Sequence, residues 1–333
     1  MTHKKILLVG GCGFIGHNLA FLLKKQKHEV TIADSLGVNN ILSFADQEIK
    51  NKKLYTSILN NRIELLNENN INLVVQDARD YHAISKLYAN IDPDIIIHLA
   101  AVSHANKSNK DPHSTFDHSL RTLENTLDFA KNKKTHVIYM SSSMVYGNFE
   151  TSEVDENTKC NPVGIYGSLK LAGELIVKSY NQVFGIPYTI IRPSALYGER
   201  CVSRRVGQIF IENAIQNMDI TINGDGEETL DFTYIEDLVQ GIASCCNIEK
   251  AKNEIFNITY GHARKVNELI FILKKEFPST NVIYKEKENF MPKRGTLNNN
   301  KAKELLGFHP GFPIEDGYLR YIAWYKNFWN NLK

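Results

Sequence analysis

The fold of this chain is indicated most clearly by one stretch, Lys5-Ile6-Leu7-Leu8-Val9-Gly10-Gly11-Cys12-Gly13-Phe14-Ile15-Gly16. Its apolar run predicts a buried strand over Lys5–Gly10, and the residues after the glycines predict a helix over Phe14–Lys27. Glycines at such a junction let the backbone turn tightly and let the helix pack closely on the strand. A strand, a glycine turn and a helix in this order are typical of a doubly wound α/β fold.

The rest of the first half continues the alternation of strands and helices. Further strands are predicted at Glu29–Ala33, Leu73–Gln76, Asp94–Leu99 and His136–Met140. Alternation of this kind predicts a Rossmann-type, doubly wound parallel sheet with helices on both faces. Such a sheet binds ligands at the carboxyl ends of its strands.

Two parts of the chain depart from this regular pattern. The segment Ile41–Asn70 is long and polar, but its spaced Ile and Leu residues predict helix, with no readable function. After about residue 185, turn clusters (Asn223–Glu227, Pro292–Gly295) alternate with helical stretches (Val206–Asn217, Lys265–Phe277, Ile314–Phe328). We therefore expect a larger domain of residues 1–184 plus about 228–256, and a smaller mixed α/β lobe of residues 185–227 and 257–333.

Composition excludes several classes of function. The 333 residues carry a net charge of only +2, spread along the chain, so neither nucleic acid nor an anionic membrane is expected as a partner. No apolar run approaches the ~20 residues of a membrane span, and Ile6–Val9 is too short for a signal peptide. The five cysteines show no metal-ligand spacing, so we expect reduced thiols, no metal and a cytoplasmic protein.

The glycine loop has the chemistry of a dinucleotide site. Gly10, Gly13 and Gly16, with Phe14 and Ile15 opening the helix, would place a pyrophosphate on the positive helix end. Asp34 ends the second strand 18 residues after Gly16, where its carboxylate can accept bonds from ribose hydroxyls. The same charge would repel a 2′-phosphate, and Ser35 adds no positive charge, so NAD is favoured over NADP. The alternative is a glycine turn followed by a surface aspartate.

The third strand ends in Asp77-Ala78-Arg79-Asp80. An aspartate at this place can accept a hydrogen bond from the adenine amino group. A helix N-cap is an equally good interpretation of Asp77 from the sequence alone.

Tyr166-Gly167-Ser168-Leu169-Lys170 has the spacing of an acid–base pair. Positions i and i+4 share a helix face. A free tyrosine, with a pKa of about 10, is a poor base at neutral pH, but a neighbouring ammonium stabilises its phenolate. Behind a dinucleotide loop, this pattern indicates removal of a proton from a sugar hydroxyl rather than an exposed helix pair.

A serine cluster, Ser141–Gly147, follows the fifth strand. Its hydroxyls would point into the crevice at the end of the sheet, where one could bridge a substrate hydroxyl and Tyr166. Ser142 and Ser143 are the candidates, and a serine-rich turn is the alternative.

Together these residues resemble the extended short-chain dehydrogenase/reductase family, specifically its NAD-dependent epimerase/dehydratase group. The resemblance covers nearly the whole chain. Besides the stretches already quoted, it includes His98-Leu99-Ala100-Ala101, Arg192–Gly198, Gly224-Asp225-Gly226, Asp231–Leu238 and Lys301–Gly307.

The resemblance implies tightly held NAD, a nucleoside-diphosphate sugar as substrate and a role in polysaccharide biosynthesis. It identifies Ser142, Tyr166 and Lys170 as catalytic residues. It adds Leu99, Ala100, Ala101 and Pro193 to the cofactor site. It places Arg294 at the substrate pyrophosphate. It also implies a homodimer that pairs two helices per subunit, here about Ser114–Lys131 and Ile165–Phe184.

Three positions depart from the family pattern. Leu230 stands where many members have a phosphate-binding arginine, and Arg204 or Arg205 would compensate unless both are solvated surface residues. Ala195 replaces an asparagine that often contacts the substrate. Met144 replaces an acidic residue of the 4,6-dehydratases, so elimination of water lacks its acid and base.

The simplest chemistry that remains is reversible oxidation at C4 of a UDP-sugar, with hydride returned to the other face. The sequence therefore predicts a 4-epimerase acting on a hexose, N-acetylhexosamine or hexuronate. A decarboxylase, a dehydratase and a C4 dehydrogenase or reductase of the same family stay open, as does a catalytically silent protein that senses NAD.

Overall fold

The chain forms fifteen strands and thirteen α-helices within the part that the computed structural model describes, residues 3–45, 49–103, 105–286 and 292–332. The strands are β1 Lys5–Val9, β2 Glu29–Asp34, β3 Asn72–Val75, β4 Ile95–His98, β5 His136–Met140, β6 Glu153–Val154, β7 Tyr188–Arg192, β8 Leu196–Tyr197, β9 Ile220–Asn223, β10 Thr229–Leu230, β11 Thr233–Tyr234, β12 Glu254–Asn257, β13 Arg264–Lys265, β14 Val282–Lys285 and β15 Thr296–Leu297. The α-helices are α1 Phe14–Lys25, α2 Ile41–Ala45, α3 Lys52–Glu68, α4 Tyr81–Ile91, α5 Ala105–Lys110, α6 Pro112–Phe116, α7 Thr122–Lys133, α8 Gly164–Phe184, α9 Val206–Ile215, α10 Ile235–Asn247, α11 Val266–Glu276, α12 Asn300–Leu306 and α13 Ile314–Asn330.

The centre of the molecule is a seven-stranded parallel sheet in the order β12-β7-β5-β4-β1-β2-β3. The chain winds outward from β1 in one direction through β2 and β3, and then in the other direction from β4 onward. The crevice between the carboxyl ends of β1 and β4 is therefore the switch point, where open α/β sheets bind ligands. The Rossmann-type fold expected from the sequence is confirmed.

Both faces of this sheet are covered, because successive side chains of a strand point to opposite faces. Ile6 and Leu8 of β1 join the large core that also includes α10. Leu7 and Val9 join a second core with α4. A strand buried on both faces explains why Ile6–Val9 is apolar without interruption.

β7 lies beyond the domain boundary that we expect at residue 184. β7 is hydrogen-bonded between β5 and β12 in the main sheet, so it belongs to the larger unit. The irregular sequence pattern after residue 185 does not show that the sheet continues. In the structure, however, β5 and β12 are joined to each other through β7. The smaller lobe is built instead around the short pairs β9–β14 and β10–β13 together with α9, α11 and α13.

The segment Ile41–Asn70 is helical, as expected, and forms α2 and α3, while its residues 46–48 lie outside the described residues. The helix predicted over Ser114–Lys131 is interrupted by a π-helical turn at Asp117–Arg121. A pattern of 3.6-residue periodicity does not reveal such a one-residue insertion. Within the described ranges, every helix is too short or too polar to cross a bilayer.

Candidate active site

A crevice at the switch point collects nearly all of the predicted cofactor residues. Its wall includes Gly10, Gly13, Phe14, Ile15, Gly16, Asp34, Ser35, Asp77, Ala78, Leu99, Ala100 and Ala101. These residues come from the ends of four different strands, which the parallel sheet brings to one edge.

The glycine loop is shaped for close approach of a ligand. A Cβ atom added at Gly10, which has a φ of +77°, would lie 2.7 Å from the backbone nitrogen of Ala100. A Cβ atom at Gly16 would lie 2.3 Å from the carbonyl oxygen of Gly11, so the helix packs directly on the loop. Only glycine fits either position, and this tight packing places the start of α1 at the crevice, where its positive end suits a pyrophosphate.

Asp34 lies at the end of β2 with its carboxylate at the crevice. Its two oxygens accept hydrogen bonds from the backbone N–H groups of Cys12 (2.9 Å) and Leu36 (2.7 Å). Burial raises the pKa of Asp34, and these two bonds together with the Arg62 guanidinium act in the opposite direction. Carboxylate oxygens can accept about four bonds in total, which leaves room for ribose hydroxyls.

Asp77 lines the crevice and accepts hydrogen bonds from the backbone and guanidinium of Arg79. The N-cap of α4 is Asp80, whose side chain accepts from the backbone nitrogen of Ala83 (3.0 Å). The structure therefore assigns the helix cap to Asp80 and leaves Asp77 at the crevice.

Tyr166 and Lys170 lie one turn apart near the start of α8, and the Lys170 Nζ atom is 6.0 Å from the centre of the Tyr166 ring. Burial raises the pKa of Tyr166. Arg205, a hydrogen bond from Ser142 and Arg294 lower this pKa, in that order. Two arginines that are distant in sequence thus favour the phenolate, a contribution that the Tyr-x-x-x-Lys spacing does not reveal.

Lys170 is held by a buried polar network. Its ammonium donates to the carbonyl of Met140 (2.7 Å). Burial lowers the pKa of Lys170 to about 8, while the Glu174 carboxylate acts in the opposite direction. Glu174 is itself bound by both ends of the Arg192 guanidinium (2.9 and 2.7 Å) and by the Ser141 hydroxyl (2.5 Å).

The serine cluster packs against Arg294. The Ser142 hydroxyl caps a short 3₁₀ turn by accepting from the backbone nitrogen of Met144. One Arg294 nitrogen donates to the hydroxyls of Ser143 (2.5 Å) and Ser194 (3.0 Å). Ser143, predicted as a substrate contact, thus lies between Ser142, the serine predicted to be catalytic, and the arginine predicted to bind the substrate.

Of the two arginines considered as substitutes for the family arginine, Arg205 reaches the crevice. It also donates to the carbonyl of Ser103 (3.4 Å). Within the described ranges, the buried Nε atoms of Arg205 and Arg294 have no hydrogen-bond partner. Burial and, next, the charge of Arg205 lower the pKa of Arg294 to about 10. Two half-buried guanidinium groups that repel each other and have unpaired, buried Nε atoms offer a site for an anion.

The structure shows the surroundings of Leu230 and Ala195, the two other positions that depart from the family pattern, and of Pro193. Leu230 forms part of β10 and packs against the main core. Ala195 has a φ of +35°, a region in which asparagine is more favourable than alanine. Pro193, predicted as a cofactor contact, is not among the described residues that line the crevice. Its carbonyl oxygen accepts a hydrogen bond from the backbone nitrogen of Ser143 (2.9 Å).

Among the crevice residues that were not identified from the sequence, three are polar residues on helices. His118 and Thr122 reach it from the π-helical turn and the start of α7. Arg62 reaches it from α3. The polar composition of the segment around Arg62 suggests exposure, and only the packing of α3 shows that this arginine is buried.

A family model and similar curated proteins agree on the family to which this chain belongs. Residues 6–259 match the model of the NAD dependent epimerase/dehydratase family. The chain is 33% identical over 328 residues to a protein of Methanocaldococcus jannaschii provisionally named UDP-glucose 4-epimerase, covering 97% of this chain and 98% of that one. It is 27% identical to UDP-glucuronate 4-epimerase 1 of Arabidopsis thaliana, covering 97% of this chain and 77% of the relative.

Among solved structures, the UDP-glucuronic acid 4-epimerase of Bacillus cereus, in complex with UDP-glucuronic acid and NAD, superposes with a TM-score of 0.87. It is 27% identical, and the alignment covers 97% of this chain and 99% of that chain.

Proposed function

The chain belongs to the NAD-dependent epimerase/dehydratase family, and from that premise we propose that it is an NAD-dependent 4-epimerase of UDP-sugars. The observation that carries the proposal is the group formed by Ser142, Tyr166 and Lys170, with Arg205 and Arg294 acting on Tyr166. This group combines a proton acceptor with cations for an anionic substrate.

The crevice fits NAD. Gly10, Gly13 and Gly16 line it at the start of α1, and a Cβ atom added at Gly13 would have only the Gly10 carbonyl oxygen within 4 Å, so the backbone there is open to a ligand. Asp34 offers carboxylate oxygens at the end of β2. When bound, NAD supplies a nicotinamide that can take up a hydride from the sugar and give it back. The protein residues hold the dinucleotide, orient the sugar and move the hydroxyl proton.

Tyr166 removes the proton from the C4 hydroxyl, and the Ser142 hydroxyl bridges the two oxygens. Ser142, Arg205 and Arg294 lower the pKa of Tyr166 and so favour the phenolate that accepts this proton. Lys170 adds its ammonium charge within the same buried site. After the 4-keto sugar has rotated in the site to present its other face, Tyr166 returns the proton and the C4 configuration is inverted.

Arg294 and Arg205 bind the diphosphate of the substrate in this proposal, with Ser143 beside them. An anionic ligand would satisfy their buried Nε atoms and relieve the repulsion between the two guanidinium groups. Arg205 thereby takes the place of the arginine that is missing at Leu230. Met144 offers no proton to a carbon next to the ketone, which favours epimerisation over dehydration.

We also propose how the chain is divided into two lobes and how it assembles. Residues 1–192, with about 228–257, hold NAD, and the remaining residues form the lobe that holds the sugar nucleotide. We also propose a cytoplasmic homodimer that serves polysaccharide biosynthesis. Exposed apolar side chains on the two helices expected to pair, Phe116 and Leu175 among them, support the dimer.

The test is turnover with a panel of UDP-glucose, UDP-N-acetylglucosamine and UDP-glucuronate, with products separated by chromatography and the C4 configuration read by NMR. We expect the C4 epimer of at least one substrate, without net reduction of NAD. A decarboxylated, dehydrated or stoichiometrically oxidised product would establish one of the alternative activities. Binding without turnover would indicate a silent NAD-sensing protein.

A further inference from the structure

Arg62 is a buried arginine at the cofactor crevice. It belongs to α3, in the segment between β2 and β3, and only 1% of its surface is exposed. It lines the same crevice as Asp34 and the glycine loop. The segment 41–70 thus delivers a positive charge to the end of the crevice where Asp34 would meet the adenosine ribose.

The hydrogen bonds of Arg62 leave its charge unneutralised. Its Nε and Nη2 atoms donate to the carbonyl of Arg200, and its Nη1 atom donates to the carbonyl of Cys12 (3.5 Å). These acceptors are neutral, and Arg62 forms no ion pair within the described part of the chain. A guanidinium has five N–H groups, so two remain for another acceptor.

Cys12 joins Arg62 to Asp34, because its carbonyl accepts from Arg62 and its backbone N–H donates to the Asp34 carboxylate. The two charged groups lie too far apart for an ion pair, but the Arg62 charge lowers the pKa of Asp34 and helps to keep its carboxylate ionised. From the sequence, NAD is favoured over NADP because Asp34 is negative and Ser35 adds no positive charge. The structure adds a positive charge at the same crevice, because Arg62 reaches it from a distant part of the chain.

Resting on the proposed NAD-binding function, we propose that Arg62 is a latent determinant of cofactor choice. Rejection of NADP depends on the Asp34 carboxylate alone. Once that carboxylate is removed, the Arg62 guanidinium binds the 2′-phosphate of NADP. An arginine near this ribose hydroxyl is how related folds accommodate a 2′-phosphate. Asp34 in the native chain both binds the ribose and masks Arg62.

The test compares Asp34→Ser alone with double variants that add Arg62→Gln, Arg62→Met or Lys53→Met. Gln keeps a donor for the Arg200 carbonyl without the charge, so the test survives if the Met variant does not fold. Lys53 is an exposed cation on the same helix and serves as the matched control. NAD and NADP affinities are measured by titrating nucleotide-depleted protein. The dinucleotide that copurifies with each variant is identified by mass spectrometry.

We expect Asp34→Ser to bind NADP roughly tenfold or more tightly than the native protein, as expected for a new charge-assisted bond. The Lys53→Met double variant should keep this gain, and both Arg62 double variants should lose it. No gain in Asp34→Ser, or a gain that persists without the Arg62 charge, would overturn the proposal. A native protein that binds neither dinucleotide would overturn it together with the proposed function. NAD binding without epimerisation would overturn the proposed function alone.

Discussion

Tyr166 is subject to opposing influences on its hydroxyl proton. Burial favours the neutral phenol, whereas Arg205, the Ser142 hydroxyl and Arg294 favour the phenolate. Burial has the larger effect, so the pKa of Tyr166 lies above its ordinary value, and the three polar groups limit this rise. An epimerase needs a group that takes a proton and returns it in the same cycle.

Replacing Tyr166 with Phe should lower turnover roughly 100-fold or more, because the general base is lost. Folding and NAD content should stay close to those of the native protein. Tyr180→Phe, on the same helix, is the control and should keep its activity. Turnover by Tyr166→Phe within a few-fold of the native rate would show that another group is the base.

Lys170 should impose an alkaline limit on turnover. Its pKa of about 8 means that the ammonium is present below this pH and is lost as the pH rises through it. Loss of the charge removes a group that favours the phenolate, so kcat should fall above about pH 8. A kcat that rises steadily to pH 10 would contradict this role and indicate that ionisation of Tyr166 limits the rate.

At the level of secondary structure, α8 carries the proposed catalytic residues Tyr166 and Lys170 and is joined to the central sheet through Glu174. Tyr166, Lys170 and Glu174 follow one another at four-residue intervals along one face of the helix. The Glu174–Arg192 ion pair joins this face to β7, and both side chains are almost fully buried. The position of Lys170 thus depends on an interaction two turns away from Tyr166.

Glu174→Gln should lower the free energy of unfolding by about 3–5 kcal/mol, because it leaves the Arg192 charge buried without a partner. Denaturant unfolding of the variant and the native protein measures this difference. Glu227→Gln, which breaks the exposed ion pair with Lys265, should leave stability nearly unchanged and is the matched control. Equal effects of the two substitutions would contradict the structural role of Glu174.

The elements also show what the sequence could and could not predict. The glycine loop and the Tyr166–Lys170 spacing are local patterns, and both identify residues that the structure brings to one edge of the sheet. The positions of Arg62 and Arg205 depend on packing between distant segments of the chain. Arg62 donates to Arg200 and Arg205 donates to Ser103, and each pair is more than 100 residues apart in the sequence. Neither could be inferred from spacing, and the same holds for the π-helical turn that brings His118 to the crevice.

At the scale of the whole molecule, one sheet edge organises the cofactor and the catalytic residues, while another surface carries exposed apolar residues. On α8, Leu175 is 57% exposed and Val183 is 72% exposed. Apolar side chains at such exposure on a helix that also carries the site are consistent with burial in a dimer. A dimer of this kind would stabilise the helix that positions Tyr166.

Leu175→Glu should convert the proposed dimer to monomers, because a charge would be buried in the helix pair. Light scattering coupled to size-exclusion chromatography measures the mass. Phe271→Glu changes an equally exposed apolar residue on α11 and should leave the dimer intact. A native protein that is monomeric at micromolar concentration, or a dimer that survives Leu175→Glu, would contradict the assignment of this face.

The central claim is that the hydride leaves C4 and returns to C4 within one site. Turnover of the best UDP-sugar in heavy water, followed by mass spectrometry of the product sugar, tests this claim most directly. If the hydride returns to C4, we expect a C4 epimer with no deuterium on carbon and no loss of water or carbon dioxide. Deuterium at C5, or either loss of mass, would contradict it, because Met144 provides no acid or base for chemistry at a carbon beside the ketone.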